Sequence, residues 1–305
     1  MKSKTMNRKG TKRRIEFSNR RWFNRHSLIR LSILLSLAAL LCSAYIWRRG
    51  PLLTIREVPI RDRLIAHAGG AFEGMTYTNS LQAMEHNYAA GFRYFEVDFN
   101  WTQDGELVCV HDWEATYAKL FHESPASIPS LEEFERLEMK AGLTQLSLDS
   151  VMHWLSLKKD AFLVTDIKKD NLQALRLIKE RYVVQIQQVV PQVYNPNEIS
   201  PTRSLGFENV ILTLYRCPLS RRELLSRLEN EELFAVTVPK ARLKRWGFAK
   251  NLSRRFFVYT HTVNSEKEAV DSIEMGVDGF YTDSLRPDSI PFPLPSLERR
   301  GQLTK

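Results

Sequence analysis

The sequence contains few cysteines, only three in 305 residues. Three thiols do not make the disulfide framework of a small secreted domain. Cys42 lies in an apolar segment, Cys109 in a strand pattern and Cys217 before a proline, so we interpret all three as packed or membrane-embedded thiols. The chain also lacks internal repeats, low-complexity stretches and a glycine-rich nucleotide-binding loop. Repeat arrays are therefore excluded, and a nucleotide-binding doubly wound sheet is disfavoured.

Acidic residues are nearly missing from the start of the chain. Residues 1–30 carry 11 Lys/Arg and a single acid, Glu16, for a net charge of +10, whereas the whole chain carries +9. The other 275 residues therefore have a net charge of −1. A basic tail on a nearly neutral body is typical of a topology signal or of contact with anionic lipid. We predict no nucleic-acid partner.

Charged residues are absent from residues 31–47, a stretch of 17 residues. As a helix it would span about 25 Å, near the lower limit for crossing a bilayer. The excess of positive charge on its amino-terminal side predicts a single-pass membrane protein with a cytoplasmic N-terminus. The rest of the chain would lie on the periplasmic or extracellular side. A signal peptide cleaved after Ala44 is the alternative.

Apolar residues make up 43% of the chain, enough for a sizeable core. Strand patterns cover residues 64–67, 94–99, 162–168, 183–190, 209–214, 233–238, 256–262 and 278–282. Helical patterns cover residues 79–90, 149–157, 171–181, 218–229, 240–251 and 266–275. This alternation predicts an α/β fold, a (β/α)8 TIM barrel with a small hairpin insertion after strand 2, preceded by one N-terminal transmembrane helix. An open doubly wound sheet is the alternative.

The predicted organisation has five parts. They are a basic cytoplasmic tail (1–30), a transmembrane anchor (31–47), a linker (48–62), the barrel (63–285) and an irregular C-terminal tail (286–305).

Paired carboxylates stand out in residues 95–112, which read FEVDFNWTQDGELVCVHD. Glu96 and Asp98 are two residues apart in a strand pattern, so both point to the same face. Asp104-Gly105 is a hairpin turn signal, and the second arm ends at His111. Buried carboxylates beside a histidine are costly unless a cation or a substrate uses them. This stretch is therefore predicted to form part of an active site.

Polar side chains recur at the carboxyl ends of the predicted strands, where barrels of this kind carry their catalytic groups. They are His67, Glu96, Asp98, Asp166, Lys168 and His261, with His111 on the hairpin arm. Three carboxylates are ligands for Mg²⁺ or Ca²⁺ rather than zinc. Two histidines provide a general base and a general acid, and a lysine provides fixed positive charge. The set suits hydrolysis of a phosphate ester.

At these residues the chain resembles the glycerophosphodiester phosphodiesterases, within the broader group of phospholipase-C-like barrels. The family opens with H-R-G and P-E-N-T, which appear here as H-A-G-G from His67 and Y-T-N-S from Tyr77. Its later motifs appear as E-V-D at 96–98, T-Q-D-G to H-D at 102–112, D-I-K at 166–168, H-T-V-N at 261–264 and G-V-D-G-F-Y-T-D at 276–283. The resemblance covers residues 63–285 in order.

The resemblance implies roles for individual residues. His67 and His111 are the acid–base pair, and Lys168 contacts the phosphate of the substrate. The implied metal ligands are Glu96, Asp98 and Asp166.

Four positions depart from the family pattern. Ala68 stands where the family has an arginine that grips phosphate, and Thr78 replaces the glutamate of P-E-N-T. Asp166 replaces a longer glutamate. His261 replaces a tryptophan and is expected as a further polar group in the substrate pocket. These changes affect the identity of the substrate more than the chemistry.

The predicted function is metal-dependent hydrolysis of glycerophosphodiesters to glycerol phosphate and an alcohol. We assign His67 as base and His111 as acid, and the reverse order stays open. Asp112 is expected to orient the His111 loop, and Asp283 to act as a structural hydrogen-bonding residue. One alternative is a phospholipase C- or D-like enzyme that acts on lysophospholipid or phosphatidylinositol at the membrane surface. The other is a non-catalytic barrel that binds lipid headgroups or a protein.

Overall fold

A computed structural model of the protein describes residues 63–123 and 127–288. The predicted cytoplasmic tail, anchor and linker of residues 1–62 lie outside the described residues, as does the C-terminal tail from residue 289. Within the described ranges, no helix is long and apolar enough to cross a membrane.

Eight parallel strands form a closed barrel, as predicted. The strands in chain order are β1 (Leu64–Ala66), β2 (Tyr94–Trp101), β3 (Leu107–Cys109), β4 (Phe162–Ile167), β5 (Val189–Val193), β6 (Ile211–Thr213), β7 (Ala235–Thr237), β8 (Phe257–Thr260) and β9 (Gly279–Thr282). Neighbours in the barrel follow chain order from β4 to β9, and β1 closes it by pairing with both β9 and β2. The remaining strand, β3, is antiparallel to β2 and lies outside the barrel.

Helices connect the strands and cover the barrel. They are α1 (Leu81–Ala89), α2 (Ala115–Leu120), α3 (Leu131–Arg136), α4 (Leu148–Leu157), α5 (Asn171–Arg181), α6 (Ile199–Ser204), α7 (Arg221–Arg227), α8 (Lys240–Trp246), α9 (Phe248–Leu252) and α10 (Glu266–Glu274). Serine caps several helix starts. Ser130 and Ser220 each form a capping box with the glutamate three residues later, which satisfies backbone N–H groups that the helix leaves open.

Two predicted elements were wrong in their bounds. The strand predicted at 183–190 begins only at Val189, because Val183 and Val184 lie in an exposed turn. The side chain of Gln188 donates to the main-chain oxygens of Leu155, Lys158 and Ala161, and so fixes the entry to β5. The helix predicted at 240–251 is divided into α8 and α9 at Gly247, whose φ of 52° lies in the left-handed region that glycine tolerates.

One layer of the barrel interior consists of one buried side chain from each of the eight barrel strands. The set is Ile65, Tyr94, Val164, Val190, Ile211, Ala235, Tyr259 and Tyr281. Because side chains alternate along a strand, the residues two and four positions after Tyr94 and two after Val164 also face the interior, nearer its carboxyl end. Those residues are Glu96, Asp98 and Asp166. The larger apolar cluster packs between the strands and the surrounding helices.

The insertion after β2 is larger than the predicted hairpin. The turn at Asp104-Gly105 forms as predicted, with the Thr102 N–H donating to the Glu106 carbonyl at 2.8 Å. Beyond β3 the chain adds α2 and α3, which build a second small core around Tyr117, Phe121 and Phe134. This core holds the segment that follows β3 and carries His111.

Candidate active site

Three buried carboxylates meet at the carboxyl end of β2 and β4. Asp98 lies directly opposite Asp166 in the parallel register, and Glu96 is two residues earlier on the same face of β2. One oxygen from each lies within 4.8 Å of the others. Oxygen donors that converge in this way fit a hard divalent cation such as Mg²⁺ or Ca²⁺.

The charge balance of this cluster also fits a cation. Burial, together with the negative charges of Asp98 and Asp166, raises the pKa of Glu96 to about 8. Burial and the charge of Asp98 raise the pKa of Asp166 as well. The compensation supplied by the described residues is limited. Two positive groups lie near the cluster, the His67 ring and the Lys168 ammonium. The remaining compensation comes from neutral donors such as the Ala68 N–H, which donates to Glu96 Oε2 at 2.8 Å. Such repulsion between buried carboxylates is relieved when a cation binds.

Lys168 follows β4 and reaches back into the cluster. Its Nζ lies 2.9 Å from Asp98 Oδ1 and 3.3 Å from Asp166 Oδ2. Burial lowers the pKa of Lys168, but the two carboxylates outweigh it and raise that pKa above its usual range. The ammonium group is therefore charged, and the structure places it beside the predicted metal ligands.

His67 lies on the turn that follows β1, with its ring largely buried. Its Nδ1 is 2.9 Å from Asp283 Oδ1, and its Nε2 is 4.0 Å from Glu96 Oε2. Burial opposes protonation of the ring, but the hydrogen bond with Asp283 and the charges of Glu96 and Asp98 raise the pKa of His67 to about 9. Asp283 is itself held by Asn264, which donates to Oδ2 at 2.7 Å.

His111 repeats this arrangement at another carboxylate of the cluster, Asp98. Its Nδ1 is 2.9 Å from Asp112 Oδ2, and its Nε2 is 4.0 Å from Asp98 Oδ1. Asp112 also accepts from the backbone N–H of Thr116 at 3.0 Å, so it fixes the loop that carries His111. Each histidine thus has a carboxylate on Nδ1 and points Nε2 towards the acidic cluster.

Two residues of the β1–α1 loop belong to this site although the sequence did not single them out. Tyr77 lies between the two histidine rings, with ring centroids 4.6 Å from His67 and 5.5 Å from His111. Asn79 binds Asp98 twice, because its Oδ1 accepts from the Asp98 N–H at 3.0 Å and its Nδ2 donates to Oδ2 at 3.1 Å. The position of Asn79 in the Y-T-N-S motif was the only signal.

Aromatic rings line the other side of the site. The hydroxyl groups of Tyr194 and Tyr215 both hydrogen-bond to Asp166 Oδ1. The ring of His261 lies 6.0 Å from the rings of both Tyr215 and Tyr281. Burial, with the charges of His67 and Lys240, lowers the pKa of His261 to about 4. Its Nε2 is buried without a hydrogen-bond partner among the described residues.

The structure therefore brings all seven predicted site residues to one end of the barrel. Two imidazoles, an ammonium group and three carboxylates at one end of the barrel suit the hydrolysis of a phosphate diester, where protons move and negative oxygens need stabilisation. The profile of the glycerophosphoryl diester phosphodiesterase family matches residues 68–286. The chain belongs to this family. It is accordingly a phosphoric diester hydrolase.

Individual relatives agree with the family assignment. A curated glycerophosphodiester phosphodiesterase from Bacillus altitudinis is 24% identical over 241 residues, which cover 72% of this chain and 94% of the relative. A glycerophosphodiester phosphodiesterase from Parabacteroides distasonis superposes with a TM-score of 0.57 at 19% identity, over 79% of this chain and 97% of that one.

A further solved structure shares the fold. A phosphodiesterase from Oleispira antarctica, solved in complex with the product sn-glycerol-3-phosphate, gives a TM-score of 0.57 at 16% identity, over 72% of this chain and 92% of that one. Enzymes of the family use a divalent metal, and the acidic cluster of this chain is able to hold one.

Proposed function

We propose that the protein hydrolyses glycerophosphodiesters to glycerol phosphate and an alcohol, with Mg²⁺ or Ca²⁺ held by Glu96, Asp98 and Asp166. The observation that carries this proposal is the pair of histidines at the cluster, each with Nε2 4.0 Å from a different carboxylate. A phosphodiester bound over the cluster would lie within reach of both Nε2 atoms. The family membership and the curated relative from Bacillus altitudinis support the substrate class.

The two histidines move the protons of the reaction in this proposal. His67 accepts the proton of the glycerol 2-hydroxyl as its oxygen bonds to phosphorus, and His111 donates a proton to the oxygen of the departing alcohol. Water then opens the cyclic phosphate to glycerol phosphate. Asp283 and Asp112 hold the two rings through Nδ1, which leaves each Nε2 free to face the substrate. Since both rings are held in the same way, the reverse order is equally compatible with the geometry.

Positive charge for the phosphate comes from two sources. A bound divalent cation would stabilise negative oxygen and would weaken the carboxylate charge that keeps His67 protonated. The Lys168 ammonium lies beside the same carboxylates and contacts a phosphate oxygen. His261, whose ring lies beside Tyr215 and Tyr281, is the further polar group of the substrate pocket in this proposal.

The location of the protein remains part of the proposal. The charge asymmetry around residues 31–47 supports a single membrane anchor with the catalytic domain on the periplasmic or extracellular side. We expect alkaline carbonate to leave the full-length protein in the membrane fraction, and protease to reach the barrel from outside. A mature N-terminus near residue 45 would contradict the anchor.

The test of the function uses the purified protein with Mg²⁺, with Ca²⁺ and with EDTA. The substrates are glycerophosphodiesters, a lysophospholipid and phosphatidylinositol. Release of glycerol phosphate that EDTA abolishes supports the proposal. Cleavage of the lipids alone would favour the alternative of an enzyme acting at the membrane surface. No hydrolysis of any substrate would favour a non-catalytic binding barrel.

A further inference from the structure

A cation covers the aromatic side of the active site at its mouth. Arg216 follows β6, is exposed, and donates from Nη1 to the carbonyl of Lys168 at 2.9 Å. Its guanidinium carbon lies 5.7 Å from the ring centroid of Tyr194 and 5.8 Å from that of Tyr215. Both distances are within the range of a cation–π interaction.

The two tyrosines connect this cation to the reaction centre. Their rings are 5.6 Å apart in an edge-to-face arrangement, and both hydroxyl groups bind Asp166. Tyr215 also lies against His261. A group attached to the phosphate and directed towards this side would meet the rings of Tyr194 and Tyr215 at their outer edge, together with Arg216.

Arg216 forms no ion pair with a carboxylate of any described residue. One of its guanidinium N–H groups donates to the Lys168 carbonyl. The Arg242 side chain donates to the Cys217 carbonyl at 2.7 Å, which brings a second guanidinium to the same loop. One acid, Glu198, binds the backbone N–H of Tyr194 at 3.0 Å.

We infer that Arg216 makes the enzyme select against glycerophosphodiesters whose alcohol is a cation, such as choline. The inference rests on the proposed function and specifies its substrate class. Aromatic faces at the mouth would suit a quaternary ammonium group, but Arg216 already covers those of Tyr194 and Tyr215 and repels a second cation. Its unused N–H groups instead bind hydroxyl or anionic groups. The preferred alcohol is therefore uncharged and hydroxylated, or anionic.

The test compares glycerophosphocholine with glycerophosphoglycerol. We expect the wild-type protein to have the higher kcat/KM for glycerophosphoglycerol. Arg216→Gln removes the charge and uncovers the rings. The kcat/KM for glycerophosphoglycerol divided by that for glycerophosphocholine should therefore fall by about fivefold, the size of one exposed charge or cation–π effect. The change should lie in KM. Arg216→Lys keeps the charge and should retain most of the preference.

Arg176→Gln is the matched control. Arg176 is exposed on α5, so this substitution removes one positive charge that does not lie over the two tyrosines. It should leave the ratio unchanged. Equal kcat/KM for the two diesters in the wild type, or the same ratio in Arg216→Gln, would overturn the inference.

If neither diester is hydrolysed, the proposed function fails, and the inference is decided by binding. Equilibrium dialysis of both diesters against the wild type and Arg216→Gln in EDTA then measures selectivity. Weaker binding of glycerophosphocholine that Arg216→Gln abolishes supports the inference, and equal affinities refute it.

Discussion

Replacing Glu96 with glutamine should stabilise the metal-free protein. Glu96 is buried against two other carboxylates, and its pKa is raised from 4.5 to about 8. The folded state therefore binds more protons than the unfolded chain between these values, so the free energy of unfolding falls as pH rises from about 4.5 to about 8. Above that window the destabilisation is complete. Glutamine has the same shape, still accepts the Ala68 N–H and carries no charge.

The size of the effect follows from the pKa. A rise from 4.5 to about 8 sets an upper limit of about 5 kcal/mol, at about 1.4 kcal/mol per unit. The cluster shares its protons and the protein relaxes around the charge, so we expect about 2 kcal/mol at pH 8. For a domain of this size that corresponds to a rise in Tm of about 4–8 °C.

The assay is thermal unfolding in EDTA at several pH values from 5 to 9. Glu96→Gln should melt above the wild type at pH 8 and should show a weaker pH dependence, and the difference should shrink towards pH 5. Mg²⁺ or Ca²⁺ should raise the Tm of the wild type more than that of the variant. The control Glu180→Gln removes an exposed glutamate and should change neither curve. A lower Tm for Glu96→Gln at pH 8 in EDTA would refute the argument from charge repulsion.

Three further predictions concern catalysis. His67→Ala and His111→Ala should each lower kcat by at least about 10² because a proton transfer is lost, and near-wild-type turnover in either variant would contradict the pair. Asp98→Asn should abolish the dependence of activity on added metal in a titration, whereas wild-type activity that survives EDTA would disprove the metal role. Asp283→Asn keeps an acceptor for His67 Nδ1 but loses the charge, so we expect a loss of about 10² that falls on kcat rather than KM, with a shifted pH profile. An unchanged pH profile would show that Asp283 serves only the fold.

The period of the apolar pattern was enough to predict the barrel. Strand and helix signals repeat along the chain, and the alternation of side chains in β2 was enough to place Glu96 and Asp98 on one face. The prediction failed in single segments. The segment around Val183 and Val184 has strong strand propensity, but it forms an exposed turn because Gln188 anchors the chain to the preceding loop. Propensity gave way there to a tertiary hydrogen-bond network.

The contacts of residues whose partners are distant in the chain could not be predicted from the sequence. Tyr77 reads as an ordinary loop aromatic, and only the closure of the β1–α1 loop over the site places its ring between His67 and His111. Asp283 was expected to form structural hydrogen bonds, but its partner His67 lies 216 residues earlier in the chain. No local pattern encodes a contact of that range.

The sequence by itself determined the chemistry of this protein. The types and spacing of the carboxylates, histidines and lysine are local features, and strand periodicity and family motifs are enough to interpret them. The tertiary structure decided how those groups are held and what surrounds them. It set Asp283 on Nδ1 of His67, placed Tyr77 between the two histidine rings and put Arg216 over the ring of Tyr194. These arrangements come from closing a barrel, which brings together loops that are far apart in the chain, and separation along the sequence carries no information about that proximity.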